Sequence, residues 1–441
     1  MLPIFDLATD EGREGFQQRL KQLRQTVDLA GPQAEAVARI VADVAERGDA
    51  AVISCMQRFT DPDFQPDRLR VDPAECRRAR DELDPALRRA IDRSIENVRT
   101  YQQHILPRPP APLHLDGAEL GLRFAPMASA GLAVPGGTAV LFSTLIMLAV
   151  PALVAGVPAA KLSVANPPPT RRAGEPAGDV SPVVLAVCAM LGIERVYRIG
   201  GAQGMAALAL GTETIEPVDM LAGPGNVYVQ LAKAQLAGRV GMDGFYGPSE
   251  IVTLADRHAD PARVASDLLA QAEHDPGKCF LISWERAVIE RIQHAVAEQL
   301  PQRNRSAAIE RSLAEESAAI LAPDEAAAFT TADRLAGEHV NLAVADPAAA
   351  LAKLSNGGEF FLGDAAPVAA GDYLAGPSHC LPTGTTARFG SGVSVYTFLK
   401  RSGTVRYPEG MPAEVAEAIA TLAETEGLDA HAHSARLRTS K

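Results

Sequence analysis

The sequence predicts an α/β fold built on parallel sheets, and three observations carry that prediction. From about residue 130 onward, short apolar runs alternate with helical patterns, the texture of parallel strands covered by helices. The same texture returns across 262–400, which predicts a second α/β layer set of similar size. Ahead of both, residues 1–125 read as mainly helical, with segments such as "EAVARIVADVAERGDAAVISCMQRF" apolar at helical spacing.

Taken in order, "STLIMLAVPALVAGVPAAKLSVA" is the longest apolar run. Pro151, Gly156, Pro158 and Lys161 interrupt it, so it reads as buried helix, turn and strand, not a membrane span. "KLSVA", "RVYRIG", "VDMLAG" and "EIVTLAD" are strand-like; "SPVVLAVCAMLG", "AQGMAALALG" and "NVYVQLAKAQLAGRV" are helix-like. "PPPTRRAGEPAGD" is a surface loop rich in proline and glycine. "CFLISW", "VNLAVA" and "EFFLG" supply strands of the second set, and "PAEVAEAIATLAETEGLDAHAHSARLR" reads as a helix followed by a polar tail.

The chain has 441 residues, long enough for two or more domains. Its 42 basic and 54 acidic residues leave a formal charge of −12, which excludes an electrostatic nucleic-acid binder and suits a small-molecule substrate. The five cysteines (Cys55, Cys76, Cys188, Cys279, Cys380) are dispersed without CxxC spacing. They read as reduced thiols in a cytoplasmic protein, neither a disulfide framework nor a thiolate zinc site. "MLPIFDLATDEGREGF" is quickly charged and unlike a signal peptide.

GxGxxG is absent. "IGGAQGMA", "AGPGNVYV" and "VPGGTAV" are glycine-rich turns at strand-to-helix junctions, where backbone N–H groups can meet an anion; tight turns needing glycine are the alternative. His104, His114, His258 and His294 lack a second ligand type at useful spacing, whereas His274, His339, His379 and His431 sit in dense polar settings. In "LLAQAEHDPGKC", Gln271 and His274 are three apart and share one face of a helix, which Asp275-Pro276-Gly277 then stops. Gln271, His274, Asp372 and His431 would make a dispersed N/O ligand set for zinc or a similar metal; a solvated helix end is the competing reading. Glu338-His339, just before an apolar strand, can supply two acid/base groups around one carbon, or be an exposed polar pair. Cys279 and Cys380 lack the basic or helix-start setting of a reactive thiolate.

With these residues in place, the chain resembles the histidinol dehydrogenase family from about residue 20 onward. The resemblance rests on "VPGGTAVLFSTLIMLAVPALVAG", "GGAQGMAALALGTETI", "VDMLAGPGNVYV", "GPSEIVTLAD", "SDLLAQAEH", "EHVNL", "FLGDAAPVAAGDYLAGPSHCLPT", "ARFGSGVSVYTFLKRS" and "EGLDAHAHSARLR". It implies two incomplete Rossmann-like domains with parallel sheets and a small helical C-terminal extension. The division is 1–130 with 250–395, then 131–249 carrying the NAD loops, then 396–441 reaching a partner subunit. It implies zinc, one per subunit, on Gln271, His274, Asp372 and His431, and acid/base roles for Glu338 and His339. NAD contacts are implied at Gln203 and Asn226. Substrate contacts are implied at Ser249, Gln271, His274, His339, Asp372, His379, Glu426 and His431, with Glu426 and His431 completing the other chain's site in a homodimer.

Four positions depart from the family's pattern: Ala133 where an aromatic residue is usual, Tyr246 for Ala, Asn341 for an acidic residue, and Ser378 where Asn is more common. The implied reaction is the oxidation of L-histidinol through L-histidinaldehyde to L-histidine with two NAD, in histidine biosynthesis. Two alternatives stand beside it. One is a paralogue on the same scaffold acting on another polyfunctional alcohol, such as a sulfopropanediol. The other is a zinc-containing binding protein without turnover.

Overall fold

The computed structural model describes all residues except 26–27, 137–140, 173–174, 176–177, 275 and 440–441. The end of "VPGGTAV" and the helix-stopping Asp275 lie outside the described residues. The chain forms two compact units, Met1–His104 with Ala128–Phe398, and Ile105–Met127 with Leu399–Lys441.

The larger unit holds the two parallel sheets that the alternation predicts. One has six strands in the order Ile4–Asp6, Ala318–Leu321, Lys278–Ser283, Glu250–Ala255, His339–Ala343, Glu359–Leu362, every pair parallel. Its inner strands are buried on both faces, as "EIVTLA" and "KCFLIS" show residue by residue. Near-continuous apolar runs of this kind are what a sheet covered on both sides requires. Ile251, Leu281 and Ala319 pack into one core, and Val252, Phe280 and Ile320 into another.

The other sheet has five parallel strands in the order Arg195–Tyr197, Leu162–Ala165, Ala130–Ala133, Met220–Ala222, Gly241–Met242. The run beginning "FSTLIML" is the helix Phe142–Ala155, buried along nearly its whole length despite Pro151 inside it. Among the described residues no helix is long and apolar enough to cross a membrane. The helices Pro32–Arg47 and Asp49–Phe59 contribute Val37, Val44, Val52 and Met56 to the core shared with helix Gly201–Leu210.

The smaller unit contains an antiparallel sheet, Leu399–Arg406 paired with Ala118–Pro126 and that with Leu113–Leu115. The expected polar tail is instead a second helix, Asp429–Arg436, packed on helix Ala413–Thr425. Gly427 at φ +76° supplies the left-handed break between them. Arg436 bridges back to Glu417 at 2.7 Å and Glu424 at 2.6 Å, which gives the polar face a reason to fold.

Candidate active site

The helix Pro261–Ala272 starts on Asp260, whose Oδ1 accepts from Ala262 N at 2.9 Å, with Pro261 in the first turn. It buries Val264, Ala265, Leu268, Leu269 and Ala272, each leucine worth about 1.5–3 kcal/mol relative to exposure. Gln271 lies on this buried side, 2% exposed. The helix ends at Ala272, so His274 stands just past it, its N–H donating to Gln271 O at 3.4 Å. Gly277 closely approaches the helix end: a Cβ there would lie 1.8 Å from Gln271 O.

A cavity of about 480 Å³ gathers most of the candidate residues. Part of its lining follows the carboxyl ends of the strands that finish at Ala133, Ala165, Tyr197 and Ala222. The chain's progress across that sheet reverses between Ala130–Ala133 and Met220–Ala222. A crevice at such a switch point is where open α/β sheets bind nucleotides. Asn226 lines it and caps helix Val227–Leu236, its Oδ1 accepting from Tyr228 N at 3.1 Å and Val229 N at 3.2 Å. Gln203 does not line the cavity; its amide is buried against Met56 Sδ at 3.7 Å. The neighbouring Gly200 and Gly201 do line it.

Other lining residues sit at the amino ends of two adjacent inner strands of the six-stranded sheet. Ser249 immediately precedes Glu250–Ala255, and Glu338 precedes His339–Ala343; the three-residue cluster Ser249, Glu338, His339 lines the cavity with His274, Asp372 and His379. The Ser249 hydroxyl donates to Glu338 Oε2 at 2.5 Å and Glu250 N donates to the same oxygen at 2.8 Å. Burial drives the Glu338 carboxyl well above the usual carboxylate range, and these two donors oppose the shift without reversing it.

His339 Nδ1 lies 3.2 Å from Glu250 O. A carbonyl only accepts, so Nδ1 carries the proton and Nε2 keeps its lone pair. That Nε2 is buried with no hydrogen-bond partner, 4.0 Å from Asp372 Oδ1. Burial lowers the His339 pKa to about 4, against the opposing pull of Asp372, so the imidazole is neutral at neutral pH. His379 is held the same way: Nδ1–H donates to Asp372 O at 2.9 Å, and the Thr144 hydroxyl donates to Nε2 at 3.2 Å. The sequence does not mark Thr144 as a site residue, because Ser143-Thr144 opens an otherwise apolar run.

Among the described residues no group of three or more His, Cys, Asp and Glu gathers as a metal site. The implied zinc set contributes only two such residues to the larger unit, His274 and Asp372, both lining the cavity. Gln271 adds an amide, buried behind the lining, whose Nε2 has no partner. The His274 imidazole and the Asp372 carboxylate are donors of the kind zinc takes, and Gln271 would join them only through its amide oxygen. Glu426 and His431 belong to the smaller unit, where both are exposed.

All five cysteines are free and buried, and burial pushes the Cys279 thiol up to about 12 and raises Cys380. Neither forms a thiolate nucleophile. Cys279→Ser and Cys380→Ser should keep most turnover in steady-state assays; a loss of about a hundredfold in either would show a covalent role.

The departures each have a place. Ala133 lines the cavity, Ser378 Oγ donates to Met147 O at 3.0 Å, and the hydroxyl of buried Tyr246 shares its one proton between Asp243 O at 3.0 Å and Ser391 O at 3.1 Å. Asn341 Nδ2 donates to Asp267 Oδ2 at 3.0 Å. Burial raises Asp267 from 3.8 to about 6, so the folded chain binds that proton more tightly than the unfolded one. Its contribution to stability is full below the unfolded pKa and is lost as pH rises through about 6. Melting temperatures across that window should fall less steeply in Asp267→Asn than in the parent; parallel curves would remove Asp267 from the account.

A dinucleotide-type crevice facing a buried His/Glu pair defines the class: an α/β dehydrogenase. The histidinol dehydrogenase family model matches residues 23–439. The chain is 42% identical over 431 residues to histidinol dehydrogenase of Cereibacter sphaeroides, covering 97% of each. It is 42% identical over 403 residues to that of a Synechococcus species, covering 91% of each. The crystal structure of histidinol dehydrogenase from Elizabethkingia anophelis superposes with a TM-score of 0.89 at 29% identity, over 99% of this chain and 98% of the other. The chain belongs to the histidinol dehydrogenase family, and is an NAD-dependent oxidoreductase.

Proposed function

We propose that the protein oxidises L-histidinol to L-histidine through the aldehyde, in histidine biosynthesis, with Glu338 and His339 handling protons. The observation that carries this reading is the free, buried Nε2 of a neutral His339 beside Ser249-anchored Glu338 on one cavity. Gln271, His274 and Asp372 would hold zinc, with His431 from a partner subunit as the fourth ligand. Asn226 and Gln203 would contact NAD. When bound, zinc anchors and polarises the substrate and NAD accepts hydride.

The chain's own residues do the rest. His339 Nε2 takes the alcohol proton as the carbinol hydride departs, leaving the aldehyde. Glu338 then removes a proton from water as it adds to the carbonyl, and protonated His339 returns its proton to the carbonyl oxygen, forming the hydrate. His339, having released its first proton, deprotonates the hydrate for the second hydride loss. Ser249, His379 and Glu426 of a partner subunit would hold the substrate so that positioning lowers the barrier. Glu426 and His431 would thus make the homodimer the active form, working in the cytoplasm.

The test is a substrate panel with zinc and NAD, followed by NADH absorbance and product analysis. NADH and histidine from L-histidinol support the proposal. NADH only from another alcohol, such as a sulfopropanediol, would reassign the substrate, and ligand binding without NADH would make the protein a binder.

A further inference from the structure

We propose that Lys233, Asp243 and Gln230 are positioning residues for the dinucleotide, holding loop 223–226 in register with the Ser249–Glu338 pair; this rests on the NAD reading above. Lys233 and Asp243 form an ion pair with both side chains fully buried. A buried pair of this kind is weak evidence for stability, because desolvation offsets the attraction. Its geometry shows a different use. Lys233 Nζ donates to Gly223 O at 3.0 Å, and Gly223 N donates to Asp243 Oδ2 at 2.6 Å. Both backbone groups of one glycine are held by the two opposite charges. Gly223 sits at φ +121°, and a Cβ there would lie 2.2 Å from Ala133 O. The pair therefore pins a left-handed residue where two central strands end at the crevice.

Gln230 fixes the next part of the loop. Its Nε2 donates to Gly225 O at 3.3 Å and to Tyr246 O at 2.8 Å, while its Oε1 accepts from Tyr246 N at 3.1 Å. Gly225 N also donates to Tyr246 O at 3.3 Å. Loop 223–226 is thus bonded to the stretch 243–246 at both of its glycines. That stretch is anchored in turn, since Gly247 N donates to Thr383 Oγ1 at 2.8 Å. Two residues further on, Ser249 donates to Glu338. These hydrogen bonds and the backbone from 243 to 249 together connect the loop bearing Asn226 to the acid/base pair. None of the three side chains lines the cavity, so they act through the backbone they hold.

Two variants test this in the full-length, zinc-loaded protein. Lys233→Met combined with Asp243→Leu removes both charges together, so no lone buried charge remains; Gln230→Met removes the amide alone. NADH affinity is read by fluorescence titration, with KM values for NAD and alcohol, zinc content and melting temperature alongside. Each variant should weaken NADH binding and raise KM for NAD by about tenfold or more, with zinc content and the alcohol KM unchanged. Folded variants that bind NADH like the parent, or that lose NAD and alcohol affinity together, overturn the proposal. If the double variant fails to fold, Gln230→Met decides by the same criteria. A parent protein that binds no NADH would overturn the NAD reading itself, a separate result.

Discussion

His339→Asn should abolish the first oxidation, lowering turnover by about a hundredfold to ten-thousandfold while leaving NADH binding and the fold in place. Asparagine still offers an N–H to Glu250 O, so the buried carbonyl keeps a donor. What it lacks is a base at the position of Nε2. The parent imidazole meets the requirement because burial lowers its pKa to about 4, which keeps it unprotonated across the neutral range. The acid limb of the parent's pH–rate profile should therefore lie below the ordinary imidazole value, and it should vanish in the variant. Single-turnover kinetics with histidinol would read this loss directly. A variant that still releases NADH at the parent rate would remove His339 from proton transfer.

Glu338→Gln should separate the two half-reactions. Glutamine can accept from Ser249 and Glu250 N through its amide oxygen, so the local bonds survive. It cannot take a proton from water. Oxidation of histidinol to the aldehyde should change little, whereas oxidation of the aldehyde should slow by about a hundredfold or more. Supplying the aldehyde and following NADH in a single turnover isolates the second step. Equal slowing of both steps would mean that Glu338 only supports His339.

The alternation of strand and helix was legible because parallel strands buried on both faces must be short apolar runs, as "EIVTLA" and "KCFLIS" are. The candidate residues were legible as types and order, through many family motifs, but not as geometry. Spacing put Gln271 and His274 on one helix face; the helix instead stops at Ala272 and delivers His274 from the turn beyond it. No pattern in the chain reveals that Glu250 O selects the tautomer of His339, because a backbone carbonyl carries no sequence signature. Nothing in the sequence marks Lys233 and Asp243, and only the fold shows both fully buried. The second C-terminal helix was missed for a related reason. Its apolar face is two small residues, Ala432 and Ala435, too slight a pattern to mark a helix, and Arg436 pairs with Glu417 and Glu424.

The most direct measurement of the central claim is stoichiometry: limiting L-histidinol, excess NAD and zinc-loaded protein, with NADH and histidine counted at completion. A four-electron oxidation run by one acid/base pair requires two NADH for each histidine formed, without free aldehyde accumulating. One NADH per histidinol, with aldehyde as the final product, would contradict it.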